Sequence, residues 1–286
     1  MTPRDEFRFF DRLRVRWAEV DMQKIVFNGH YLMYFDTAVA GYWRALALPY
    51  HETMELLQGD LYVRKATLEY EGSARYDDQL QVGIRCARIG NSSVVFQAAV
   101  FRDAERLVHG ELVYVFADPA SMSSRSVPQD LREVLLGFEA GKAMVDVRLG
   151  TWDELGREAT LIRKAVFVDE QKIPAEMEWD AADASAVHAV AYNRFGMPLA
   201  TGRLLEHVPG IAKIGRMAVR RDLRGSRIGQ AVLEALMAAA RGRGEREVLL
   251  HAQMSAAPFY TRAGFAPRGP QFDEAGIAHV EMVRGL

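Results

Sequence analysis

Residues Arg224-Gly225-Ser226-Arg227-Ile228-Gly229 constrain this chain more than any other stretch. Before them, Ile214-Gly215-Arg216-Met217-Ala218-Val219 is apolar and alternating, the pattern of a strand. After them, Ile228, Val232, Leu233, Leu236, Met237 and Ala240 recur at helical spacing. A strand, a short basic loop with glycine and then a helix points free backbone N–H groups at an anion. The helix dipole favours negative charge at that end, and glycine lets a phosphate approach the backbone. Arg224 and Arg227 add positive charge at the same place. The pattern also fits an ordinary strand-to-helix turn with two solvated arginines, so the surroundings have to decide.

The segment resembles the acyl-CoA-binding loop of the GNAT N-acetyltransferase superfamily, Arg/Gln-x-x-Gly-x-Gly/Ala. Arg224 fills the first position and Gly229 the last, while Arg227 stands where the middle glycine is usual. Pro258-Phe259-Tyr260-Thr261-Arg262-Ala263-Gly264-Phe265 resembles the family's Phe-Tyr-x-x-x-Gly-Phe helix. Ala165-Val166-Phe167-Val168-Asp169-Glu170-Gln171 is similar to the ElaA-like branch. The resemblance covers roughly the last half of the chain. It implies that the Arg224–Gly229 loop, with Gly225, Arg227, Ile228 and Gly229, binds the pyrophosphate of coenzyme A through backbone N–H groups, Arg224 assisting by its side chain. It also implies that the N–H groups of Met217 and Val219 hold the thioester and pantetheine, and that Tyr260 protonates the departing thiolate.

Bulk properties set the frame. A length of 286 residues suggests about two domains, and 49% apolar residues suffice for a core in each. The net charge of −2 gives no sign of a nucleic-acid partner. A lone cysteine, Cys86, excludes an internal disulfide and fits a reducing compartment. Met1-Thr2-Pro3-Arg4-Asp5-Glu6 mixes charges and lacks the apolar run of a secretory signal. With no apolar stretch long enough to span a bilayer, a cytoplasmic location without membrane contact is expected.

In the first half, Leu13, Val15 and Trp17 alternate with Arg14 and Arg16, predicting a strand within Arg12 to Val20. Tyr31, Tyr34, Phe35, Ala38, Val39, Tyr42, Trp43 and Leu46 form one wide apolar face, a long buried helix entered through Asn28-Gly29-His30. Leu80, Val82, Ile84 and Cys86 alternate, Val94 to Phe101 is β-rich, and so is Glu111 to Phe116. One long helix and several antiparallel strands suggest a sheet wrapped around a central helix. Ser121 to Pro128 is a serine-rich loop, Asp130 to Ala140 a short helix, and Gly141-Lys142 the expected boundary.

These residues carry a second resemblance, to hotdog-fold thioesterases of the 4-hydroxybenzoyl-CoA type. Asp21, Val26, Phe27 and Tyr31 hold the family's Asp, Val-aromatic and Tyr positions. Lys24 replaces a usual glycine and His30 stands where asparagine is common. Ala74-Arg75-Tyr76-Asp77-Asp78-Gln79-Leu80 matches a further element at the start of a strand. The resemblance spans about residues 8 to 120.

Thioester cleavage needs an activated water or an attacking group, with donors for the developing oxyanion. Asp21, just before a helix start, is the candidate base or nucleophile, and the N–H of Asn28 or Gly29 the candidate oxyanion donor. The same aspartate also fits a turn residue bonded to its own backbone. Acyl transfer needs a neutral amine and a proton for the thiolate. His251, opening His251-Ala252-Gln253, fits a proton relay and equally a strand histidine, with Glu170 and Glu176 as acidic alternatives.

The expectation is an α+β chain. A hotdog domain over 1–140 precedes a GNAT α/β domain with a mixed sheet over 143–286. Both would act on acyl-CoA or acyl carrier protein thioesters, the second with an unidentified amine acceptor. No Cys/His cluster implies a metal. A hotdog sheet leaves an unpaired edge, so a homodimer or homotetramer through residues 1–140 is expected. Two other readings remain: a non-catalytic acyl-CoA sensor or scaffold, and an acyltransferase whose hotdog domain serves dimerisation.

Overall fold

The computed structural model describes residues 3–286, so Met1 and Thr2 of the charge-mixed N-terminal segment lie outside the described residues. The chain divides into two compact units, the first ending at Met144 and the second starting at Val145.

In the first unit, strand β1 (Phe9–Arg14) lies earlier than the alternation of Leu13, Val15 and Trp17 predicts. A 3-10 turn occupies Trp17–Glu19, and Trp17 is 78% exposed. Val15 is buried, and its N–H donates to the Asp78 carbonyl at 2.9 Å before the chain turns away. Helix α1 (His30–Ala45) buries Tyr31, Tyr34, Phe35, Ala38, Val39, Tyr42 and Trp43, the wide face its spacing predicts. A short helix α2 (Tyr50–Leu56) leads into β2 (Asp60–Tyr70), β3 (Gln79–Ile89), β4 (Ser93–Arg102) and β5 (Glu105–Ala117).

These strands form an antiparallel sheet in the order β1-β3-β4-β5-β2. Helix α1 packs on β1, β3 and β4, and Phe35, Tyr42, Leu80, Ile84, Phe96 and Val100 are closed to solvent. Full burial of each large apolar side chain is worth about 1.5–3 kcal/mol, so this seam is the unit's principal source of stability. The sheet around one long helix is the hotdog arrangement. Helix α3 (Gln129–Glu139) closes the unit through Glu139, whose Oε1 accepts from the Tyr42 hydroxyl at 2.5 Å and the Cys86 N–H at 2.8 Å. Burial, with the Glu139 charge, pushes the Cys86 thiol up to about 12, so it behaves as an inert core side chain.

The second unit runs through β6 (Val145–Gly150), α4 (Trp152–Arg163), a wide π-type helical turn over Lys164–Glu170 and α5 (Ala175–Glu178). Strands β7 (Val187–Asn193), β8 (Pro198–Val208) and β9 (Ile211–Val219) follow, then α6 (Ile228–Gly242) and β10 (Glu247–Gln253). Helix α7 (Ala257–Arg262), β11 (Ala266–Glu274) and β12 (Ile277–Gly285) complete it. The sheet order is β11-β12-β10-β9-β8-β7-β6, antiparallel except for the parallel pair β9/β10.

A bulge interrupts the register of β9 against β8. Between the pairs Thr201–Ala218 and Arg203–Gly215, one residue of β8, Gly202, faces two of β9, Arg216 and Met217. Arg216 is left-handed, with φ 52°. The extra residue resets the alternation of side chains. Met217 lies over Gly202 toward α6: a Cβ on Gly202 would stand 2.5 Å from the Met217 sulfur and 2.9 Å from Leu236 Cδ1. Ala218 points to the opposite face and packs with Ile162, Val166 and Phe167. Helices α6 and α4 therefore cover opposite faces of the sheet.

Candidate active sites

In the first unit, Asp21 starts a tight turn. Its N–H donates to the Ile25 carbonyl and its carbonyl accepts from the Lys24 N–H, both at 2.9 Å. Lys24 is left-handed, φ 61°, which explains why glycine is usual there. One Asp21 oxygen, Oδ1, accepts from the Gln23 N–H at 2.8 Å, the local bond of a turn aspartate. Its Oδ2 has no partner among the described residues.

The chain then runs back to the sheet and into α1. Val26 N–H donates to the Ala74 carbonyl, the Ala74 N–H to the Tyr31 hydroxyl, and the Phe27 N–H to the Glu19 carbonyl, each at 2.9 Å. Tyr31 thus ties the helix to the Ala74 segment. The N–H groups of Asn28 and Gly29 donate to nothing among the described residues, as expected at a helix N-terminus. A Cβ on Gly29 would stand 2.9 Å from Phe27 Cε1, so the glycine makes room for that ring. His30 opens α1 and meets Phe27 edge to face at 6.0 Å. Trp17, Met22 and Phe27 on these loops are exposed, as is Tyr70 at the end of β2.

Glu19 escaped the sequence reading, yet it organises this site. It is 3% exposed and accepts from the Arg16 N–H and Nε at 2.7 Å and from the Tyr34 hydroxyl at 2.8 Å. Burial alone would raise its carboxyl; the Arg16 and Tyr34 donors outweigh burial and hold it below the usual range. The only signal in the sequence was an acid set between apolar residues, Ala18 and Val20.

In the second unit, β9 and β10 pair only from Ile211–Glu247 to Ile214–Leu250 and then part. The Arg220 N–H donates to the Leu199 carbonyl of β8 at 3.0 Å. By alternation the Ala218 N–H also turns toward β8, and the N–H groups of Met217 and Val219 turn into the gap. The gap leads to the loop before α6. There the N–H groups of Gly225, Arg227, Ile228 and Gly229 have no acceptor among the described residues, while those of Leu223, Arg224 and Ser226 close turns. Arg227 sits at the N-cap with φ 66°, the left-handed conformation that favours glycine. A Cβ on Gly229 would lie 3.0 Å from Val219 Cγ2 and 3.8 Å from Phe259 Cζ. Strand, loop and α7 therefore converge at Gly229.

Arg224 is already engaged: Nη1 and Nη2 each reach a Glu170 oxygen at 2.7 Å, and Nε donates to the Val219 carbonyl at 3.2 Å. Tyr260 on α7 is 7% exposed, packed against Phe259 and Phe265, and its hydroxyl has no hydrogen-bond partner among the described residues. Burial raises the phenol above its usual value, so it stays protonated at neutral pH. His251 on β10 has Nδ1 3.3 Å from Glu274 and 3.4 Å from Lys213 Nζ, and Nε2 3.9 Å from Glu281. Glu176 is exposed. Sequence reasoning missed a buried ion network joining Arg163, Glu178, Asp183, Arg203, Asp180 and Arg216. Its signal was arginine inside apolar runs, as at Arg163 and Arg203. Among the described residues no cluster of three His, Cys, Asp or Glu side chains could hold a metal, and no helix is long and apolar enough to cross a membrane.

Residues 154–286 match the family model for the acetyltransferase (GNAT) domain, and residues 23–109 that of the thioesterase superfamily. An uncharacterized N-acetyltransferase of Bacillus subtilis, YjcF, is 33% identical over 133 residues, 46% of this chain and 94% of that protein. The acyl-CoA thioester hydrolase YbgC of Escherichia coli O6:H1 is 25% identical over 123 residues, 42% of this chain and 89% of that protein. The crystal structure of Escherichia coli ElaA is 27% identical with a TM-score of 0.45, covering 49% of this chain and 99% of that one. The chain belongs to the GNAT acetyltransferase family through its second unit, and residues 23–109 of its first unit match the thioesterase superfamily model.

Proposed function

We propose that the first unit hydrolyses acyl thioesters of coenzyme A or acyl carrier protein, and that the second transfers an acyl group from acyl-CoA to an amine. Family membership and the activity named for YbgC support the first part; the kinship with YjcF supports the second. The observation that carries the transferase reading is the gap beside Met217–Val219, which ends on the unpaired N–H groups of Gly225, Arg227, Ile228 and Gly229. Pantetheine would extend along the strand and the pyrophosphate would rest on the loop, where N–H groups and helix dipole both favour an anion. Tyr260 would protonate the leaving thiolate. With Glu170 held by Arg224, His251 between Glu274 and Glu281 is the better relay for the amine proton.

In the first unit the free Asp21 oxygen would activate water or attack the thioester carbonyl, and the Asn28 or Gly29 N–H would hold the oxyanion. Strand β2 is an edge strand of 11 residues, largely exposed from Val63 to Thr67, which supports pairing with a second copy into a homodimer or homotetramer. The lone reduced cysteine supports a cytoplasmic location.

Calorimetric titration of the full chain with coenzyme A, together with thiol release from acetyl-CoA with and without amines, tests the proposal. Saturable binding, acceptor-independent release and additional amine-stimulated release are expected. Binding without either release would make the protein a sensor, and absence of binding would remove both activities.

A further inference from the structure

We propose that Arg216 is a positioning residue for acyl-CoA: its guanidinium clamps the bulge in β9 that aims the Met217 and Val219 N–H groups into the gap. This rests on the acyltransferase reading of the second unit.

An arginine is disfavoured at φ 52° relative to extended backbone. If Arg216 were extended, strict alternation would continue from the buried Ile214. Arg216 would then turn toward α6, onto Val232 and Leu236, and the N–H groups of Met217 and Val219 would turn away from the gap. What opposes that relaxation is the side chain. Arg216 Nε donates to the Glu178 carbonyl at 3.1 Å and lies 3.3 Å from the Glu178 carboxylate. Its Nη2 reaches the Asp180 carboxylate at 3.2 Å and the Met177 carbonyl at 3.4 Å.

These acceptors cannot follow Arg216 if it moves. Glu178 is bound by Arg163 Nε at 2.6 Å, and Arg163, 1% exposed, also holds Asp183 at 2.7 Å. Arg203 of β8, paired with Gly215 at the edge of the bulge, grips Asp180 and Asp183 at 2.7 Å. Both strands of the bulge are thus anchored to the segment from Met177 to Asp183, with three guanidinium groups matched by three carboxylates. Arg216 acts on the thioester only through the backbone beyond it.

The test uses the full chain with acetyl-CoA as probe, and the variants Arg216→Lys and Arg216→Ala. Lysine keeps the charge but cannot span Glu178 and Asp180 with a planar fork. Alanine keeps the penalty of the left-handed backbone angle but removes the clamp. In both, Kd and KM for acetyl-CoA should rise about tenfold, the scale of losing one or two backbone hydrogen bonds to the ligand. The kcat at saturating acetyl-CoA should fall much less, a split that general loss of folded protein would not produce. Wild-type affinity in a folded Arg216→Ala protein would overturn the inference, because the bulge would then stand without the side chain although its backbone angle is still disfavoured. If neither Arg216 variant folds, Asp180→Asn removes one partner and should weaken binding in the same direction; unchanged affinity there overturns it. A wild-type protein that binds no acetyl-CoA would instead refute the acyltransferase reading beneath it.

Discussion

The Arg224 guanidinium holds both carboxylate oxygens of Glu170 at 2.7 Å, joining the loop before α6 to the wide turn after α4. The hydrogen bonds and charge of Arg224 keep the Glu170 carboxyl below the usual glutamate range. So placed, it is poorly suited to take a proton from an ammonium group. Glu170→Gln should therefore retain amine transfer, whereas removal of a general base costs about 10²-fold or more. The stability cost should stay at about 0.2–1 kcal/mol, because Arg224 and Glu170 are 43% and 30% exposed. A pH–rate profile with thermal unfolding checks both, and a loss of the larger size would restore Glu170 as the base.

Arg227 stands in a left-handed conformation at the head of α6. Arg227→Gly removes strain of about 1–2 kcal/mol and adds chain entropy worth about 0.5–1 kcal/mol, so stability should hold or rise slightly. The N–H remains, and coenzyme A affinity should be unchanged by calorimetry. If the guanidinium clamps phosphate, affinity should fall by about 1–2 kcal/mol. Gly229→Val is a less clean probe, since its Cβ would crowd Val219 as well as phosphate.

Glu19→Gln should destabilise the first unit by about 1.5–3 kcal/mol, the scale of hydrogen bonds to a buried charged group. Its folded carboxyl lies below the unfolded value, so its contribution is present above about pH 4.3 and is lost as pH falls through the folded value. Urea unfolding at pH 7 and at progressively lower pH should show the mutant and wild-type stabilities converging in acid. A constant difference would remove the charged form of Glu19 from the account.

Long periodic elements were legible from sequence because burial on one face writes itself into spacing: α1, α6 and the first part of β3 are examples. Strand β2 was not, because as an edge strand it buries little and its residues from Val63 to Thr67 face solvent. The segment after Arg14 misled because alternation at Val15 and Trp17 continued after the backbone had turned. The candidate loops of both units stand out through local motifs, and the left-handed Lys24 and Arg227 show why glycine is usual at both positions. The Arg216 clamp and the Glu19–Tyr34 bond were not legible because those partners are brought together only by the fold.

The most direct test of the proposed chemistry is acceptor-independent thiol release from acetyl-CoA by the full chain, wild type against Asp21→Asn. Asparagine can still accept the Gln23 N–H, so the turn before α1 should persist and thermal unfolding should be unchanged. The expected result is a fall in hydrolysis of about 10²-fold or more, with amine-stimulated release retained by the second unit. Hydrolysis near the wild-type rate would contradict the assignment of Asp21 and, with it, the proposed mechanism of the first unit.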